Sequence, residues 1–205
     1  IGRMHTHTIN RNYIQYVLHQ QQNLCAISGM ELNTEVRSNW QCSLDRIDDN
    51  KGYVRGNIRL VCLEFNTRSK WTRDKIDYAF FHDHNTTTTT TPLPTDELGK
   101  KLYSLLRTSA ASAKHRIATN RVSEPSTLTL QDLMEIYNTQ GGRCYYSDIP
   151  LQLMGDWQMS LERLNPLQPY TRENCVLVCI EFNGADYRQE ESGGSGFWSK
   201  EKFRI

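Results

Sequence analysis

Two short blocks of the chain carry the residue types that could meet a phosphate group or a cation. Each pairs an acid with an arginine, Asp45-Arg46 and Glu162-Arg163. Each also holds two asparagines nine residues apart, Asn57 with Asn66 and Asn174 with Asn183. A guanidinium can grip a phosphate through its planar fork of donors. It stays protonated at any useful pH, so neither arginine is suited to accept a proton in catalysis. A structural role is equally open to these residues at this point. Asn57 and Asn174 can cap turns, and Asp45 and Glu162 can pair with neighbouring cations.

The two blocks are copies of one another. Residues 43–66 (SLDRIDDNKGYVRGNIRLVCLEFN) align without a gap on residues 160–183 (SLERLNPLQPYTRENCVLVCIEFN), at a constant offset of 117 and with 12 of 24 positions identical. The likeness extends upstream from Cys25–Leu32 to Cys144–Leu151. Downstream it runs from Trp71–Ile76 to Trp198–Phe203, past a Gly/Ser insertion at 192–196. A duplication on this scale predicts one supersecondary unit used twice. In the first copy Asn10 can cap a helix whose stripe is Tyr13, Ile14, Val17 and Leu18. In the second, Thr129 with Asp132 can form a capping box before Leu130, Leu133, Met134 and Tyr137, and Gly141-Gly142 supplies the stop. Strands are expected around 43–47 and 58–62, and around 160–164 and 175–179. Each second strand should pass into a helix carrying Asn66 or Asn183, with Trp71 and Trp198 anchoring the next element.

Between the copies lie six consecutive threonines, Thr86–Thr91, and Pro92 and Pro94, a composition suited to an extended linker. Leu98, Leu102, Leu105 and Leu106 then mark a helix. Residues 96–121 hold six basic residues, Lys100, Lys101, Arg107, Lys114, Arg116 and Arg121, against two acids. This is the one strongly basic stretch, because the whole chain of 205 residues balances 24 Lys+Arg against 23 Asp+Glu for a net charge of +1. That balance excludes a histone-like polycation, so contact with nucleic acid must come from local clusters. No apolar run approaches the ~20 residues of a membrane span. Six cysteines are too sparse for a disulfide scaffold, so reduced thiols inside a cell or a virion are expected, not a secreted protein.

The order Cys-x-x-Ser-Gly, Ser-Leu-Asp-Arg-Ile-Asp, Gly-Tyr, Gly-Asn-Ile-Arg-Leu-Val-Cys and Asn resembles the HNH nucleases, also called His-Me finger or ββα-metal nucleases. It covers residues 23–76 and, nearly as well, 142–183. The resemblance implies an α+β chain of two tandem ββα-metal modules, residues 1–84 and 128–205, joined by the linker and basic helix of 85–127. It implies that Asp45 and Asn66, and in the second copy Glu162 and Asn183, hold Mg²⁺ or another divalent cation. Asn57 and Asn174 would brace the loops, and Arg46 and Arg163 would meet phosphate. Lys100, Lys101, Arg107, Lys114 and Arg116 would add backbone contacts to DNA, expected as substrate in preference to RNA. The first copy, which has Asp48 where the second has Asn165, is the expected active one.

Both copies depart from that family at one place: Arg46 and Arg163 stand where it has the histidine that acts as general base. The alternative expectation is therefore a non-cleaving member of the fold, a nucleic-acid-binding or assembly component of a ribonucleoprotein, an organellar ribosome or a virion. The family's structural zinc is not expected, since each copy keeps only two repeated cysteines, Cys25 with Cys62 and Cys144 with Cys179, where four ligands are the norm. His82 and His84 are metal-like by type but border the threonine run, so an exposed, inert terminus is expected there, with supply of the missing base as the alternative; His5 and His7, at the frayed start, are assigned no role.

Overall fold

The computed structural model describes residues 7–67, 69–81, 93–121, 124–184 and 198–204. His5, His82, His84, the threonine run and the insertion at 192–196 lie outside them. Among the described residues the chain is a mixed α+β protein with four α-helices and two antiparallel two-stranded sheets. It divides into two compact units, residues 1–78 and 79–205. No helix among the described residues is long and apolar enough to cross a membrane.

The first unit opens with α1 (Arg11–Gln20), where Asn10 Oδ1 accepts the Tyr13 N–H at 3.0 Å and satisfies one of the orphan donors of the first turn. The hairpin of β1 (Cys42–Arg46) and β2 (Ile58–Cys62) pairs Asp45 with Arg59 and Arg46 with Ile58. A single 3-10 turn, Leu63–Phe65, follows β2, and α2 (Arg73–Phe81) closes the segment. The core is Leu60, Val61, Cys62, Phe65, Trp71 and Ile76.

The second unit repeats the order. α4 (Leu130–Thr139) starts at a complete Thr129–Asp132 capping box, and Gly141 and Gly142, at φ 61° and 72°, turn the chain away from it. β3 (Met159–Arg163) and β4 (Cys175–Cys179) form the hairpin, with a 3-10 turn at Ile180–Phe182 and another at Lys200–Phe203. The basic segment is α3 (Thr95–Ala118), which packs on α4 and on β3 through Leu98, Leu102, Ser109 and Ala113.

One local expectation is corrected. Asn66 and Asn183 do not ride helices. Each is the residue that ends a one-turn 3-10 segment. Leu-Glu-Phe-Asn and Ile-Glu-Phe-Asn are too short to hold an α-helix, and asparagine favours a terminus over a helix interior. Trp71 and Trp198 do act as anchors: each meets edge-on the phenylalanine of the 3-10 turn after the hairpin, Phe65 at 5.2 Å and Phe182 at 4.9 Å between ring centroids.

Candidate functional site

The loops between the hairpin strands are built by the same atoms in both repeats. Asn57 Oδ1 accepts from the Asp48 N–H at 2.9 Å, and its Nδ2 donates to the carbonyls of Asp48 and Gly52 at 3.1 and 2.9 Å. Asn174 repeats this with the Asn165 N–H at 2.8 Å and the carbonyls of Asn165 and Pro169 at 3.0 and 2.9 Å. Both asparagines are buried, so these bonds close loops whose backbone groups would otherwise lack partners.

The arginines belong to the same brace. Arg46 Nη1 donates to the carbonyls of Asp49 and Lys51 at 3.1 and 3.3 Å, its Nη2 lies 3.5 Å from the Asp49 carboxylate, and its guanidinium sits 5.5 Å from the centre of the Tyr53 ring. Arg163 Nη1 donates to the carbonyls of Pro166 and Gln168 at 2.7 and 3.3 Å, with Tyr170 4.8 Å away. Each position in the second set is 117 residues after its counterpart. Arginine thus holds the loop from within, a task its rigid fork of donors suits.

Asn66 and Asn183 are oriented alike. Both turn the amide hydrogens inward, Asn66 to Ser43 Oγ and the Leu44 carbonyl (each 2.9 Å), Asn183 to Ser160 Oγ (2.8 Å) and the Leu161 carbonyl (2.9 Å). Asn66 Oδ1 accepts no hydrogen bond from a described residue. Asn66 lines a cleft of about 1020 Å³ that Asp45, Arg46, Tyr53, Arg59, Lys70 and Trp71 also line. Asp45 Oδ2 receives the Arg59 Nε–H at 2.8 Å, and its other oxygen has no partner among the described residues. Asp48 stays out of this lining; its carboxylate accepts the Asn50 N–H and pairs with Lys51, which together hold its carboxyl below the usual carboxylate range.

The two repeats differ in what covers this place. In the second, α3 lies over it: Thr108, Ser109, Ser112 and Arg116 share with Glu162, Arg163 and Asn183 a cavity of only about 300 Å³. Arg116 Nη1 approaches the Pro166 carbonyl that Arg163 already holds. Glu162 and Arg163 are buried, whereas Asp45 and Arg46 are half-buried. The second site is the smaller and is lined in part by the chain's own helix, and the first is the roomier.

One carboxylate and one amide oxygen line this cleft, the kinds of oxygen donor that hard divalent cations take. Among the described residues no three His, Cys, Asp or Glu side chains gather. Cys25 and Cys62, like Cys144 and Cys179, are free, buried thiols. Cys25 Sγ accepts the backbone N–H groups of Ser28 and Cys62 at 3.4 and 3.3 Å. The Cys62 thiol adds to these, pulling the Cys25 thiol below its ordinary range and pushing Cys62 above it.

Three features lie outside the site residues read from the sequence. Gln21 clasps β2 by exchanging bonds with the Leu60 N–H and carbonyl, and Gln140 does the same for Leu177, but glutamines 119 apart fall outside the ungapped block. Buried Glu64 and Glu181 accept from the N–H groups of Trp40 and Trp157. His7 stacks on Tyr53 with 5.0 Å between ring centres, beside a Thr8 N–H bond to the Tyr53 carbonyl at 3.1 Å. In the second repeat Thr127 makes the matching bond to Tyr170, so the place of His7 is taken by Ser126.

No family model matches the chain, and no solved structure matches it. It is similar to a phage T4 protein described as "Uncharacterized 29.0 kDa protein in dda-modA intergenic region" from Enterobacteria phage T4, at 36% identity over 66 residues. The match covers 32% of this chain and 25% of that protein, so the chain spans about a quarter of its relative's length.

Proposed function

We propose that the chain is a metal-dependent DNA endonuclease of HNH type, two tandem ββα-metal modules of which the first cleaves and the second binds. The observation that carries this reading is the shared cleft of Asp45 and Asn66, with Asn66 anchored through its amide hydrogens so that its oxygen is left over. Asp45 and Asn66 are the residues that would hold Mg²⁺ or another divalent cation. When bound, such an ion stabilises charge developing on the phosphate. Arg59 and Lys70 bring positive charge to the same cleft and meet the phosphate's non-bridging oxygens. Asn57 and Arg46 keep the loop of residues 47–57 in one shape.

Arg46 cannot take the proton of an attacking water. Of the described histidines, His7 is the one stacked on a cleft-lining residue, and the second repeat has Ser126 in its place. In this reading the water oxygen bonds to phosphorus as the bridging P–O bond breaks, and His7 takes the proton. A general base contributes roughly 10²–10⁴ in rate. His7→Ala is therefore expected to slow nicking of supercoiled plasmid by at least about a hundredfold, with imidazole in the buffer restoring part of it. Undiminished nicking, or a loss that imidazole leaves untouched, removes His7 from this role.

The reading as a whole is tested by incubating the full chain with supercoiled plasmid and Mg²⁺ or Mn²⁺. Nicked circles that fail to form in EDTA are expected. Binding to DNA with no nicking under either metal would favour the second reading, a non-cleaving nucleic-acid-binding or assembly protein, to which the inward use of Arg46 and Arg163 lends weight.

A further inference from the structure

We infer that α3 turns a duplex-tracking face outward while its inner face packs on the second repeat. The helix has two sides. Leu98, Leu102, Ser109 and Ala113 are buried, and Arg116, on the same side, reaches the Pro166 carbonyl. Lys100, Arg107 and Lys114 recur every seven residues, two turns apart, on the opposite side, and all three are exposed. At about 1.5 Å per residue their backbones stand roughly 10.5 Å from one another along a rigid rod. Tyr103, 54% exposed, lies in the same stripe, and small side chains, Ala110 and Ala111, keep the space between the cations low. The acids of the helix, Asp96 and Glu97, are confined to its first turn, where Glu97 pairs with Lys100 at 2.9 Å. Arg107 and Lys114 have no ion pair among the described residues.

A straight row of fixed cations complements a straight, regular polyanion. Duplex DNA carries one charge per about 1.7 Å of axis, and side chains that displace its counterions gain affinity without reading sequence. A tyrosine hydroxyl in the row donates to a phosphate oxygen. The structure therefore sorts the basic residues of this helix: Lys100, Arg107 and Lys114 face the duplex, Arg116 holds the loop of the second repeat, and Lys101, half-buried, belongs to neither face. This role of α3 rests on the nucleic-acid reading of the chain but not on cleavage.

The test is binding of the full chain to a fluorescent duplex of about two helical turns in EDTA, followed by anisotropy across a salt series. The variant K100E/R107E/K114E is compared with a control of equal charge change, R11E/R37E/R204E, after thermal melts show both folded. The first variant should bind at least about tenfold more weakly near physiological salt, and its log–log salt slope should be shallower by about 2–3, close to 0.9 for each phosphate no longer neutralised. The control should stay within about twofold of wild type, since its charges lie off the row. Equal weakening in both variants, no weakening in the first, or a wild type that ignores the duplex would each overturn the assignment. Because no metal is present, these outcomes are independent of the nicking result.

Discussion

Asn174→Ala should lower the stability of the second unit by about 2–4 kcal/mol, or roughly 5–15 °C in its thermal midpoint. The side chain makes three hydrogen bonds to backbone groups of one loop, and it is buried. Truncation leaves the Asn165 N–H and two carbonyls without those partners inside a folded unit. An unpaired buried group is costlier than the net worth of the bond that held it. Asn57→Ala should act alike on the first unit, since its three bonds have the same geometry. Calorimetry of each variant beside wild type is the measurement. Midpoints unchanged by both substitutions would mean that neither loop depends on its asparagine.

Much of this architecture is legible in the sequence because its determinants are local. Asn10, and Thr129 with Asp132, declare two helix starts. Two short strand-like segments, 43–47 and 58–62, on either side of a turn-rich loop declare a hairpin. The duplication then lets every inference be made twice. The hidden part depends on long-range partners. The leucines of α3 announce a buried face but not what buries it, so its seat on β3 and α4 emerges only in three dimensions. The acid–arginine pairs present a similar difficulty. Arginine beside a carboxylate suggests a phosphate grip, yet its donors are turned to carbonyls three and five residues ahead, which no pattern of residue types reports. His7 lies 46 residues from Tyr53 in sequence, and only the parallel bridge between them brings its ring onto that tyrosine.

The asymmetry between the repeats leads to the largest functional effect. Asp45 lines an open cleft and has an oxygen without a partner among the described residues, whereas Glu162 is covered by α3. If Asp45 holds a cation that stabilises phosphate charge, its loss removes several kcal/mol from the transition state. At about 1.4 kcal/mol per tenfold, that is at least about a hundredfold in rate. Glu162 is buried and shares its smaller cavity with residues of α3. Substituting it acts through the stability of the second unit, and Glu162→Gln keeps the shape while removing the charge.

The direct measurement is the initial rate of plasmid nicking in Mg²⁺ by wild type, Asp45→Ala and Glu162→Gln, each confirmed folded. A cation held at Asp45 predicts a fall of at least about a hundredfold for Asp45→Ala and a rate within about threefold of wild type for Glu162→Gln. Equal rates for Asp45→Ala and wild type, or a collapse confined to Glu162→Gln, would contradict an active site in the open cleft.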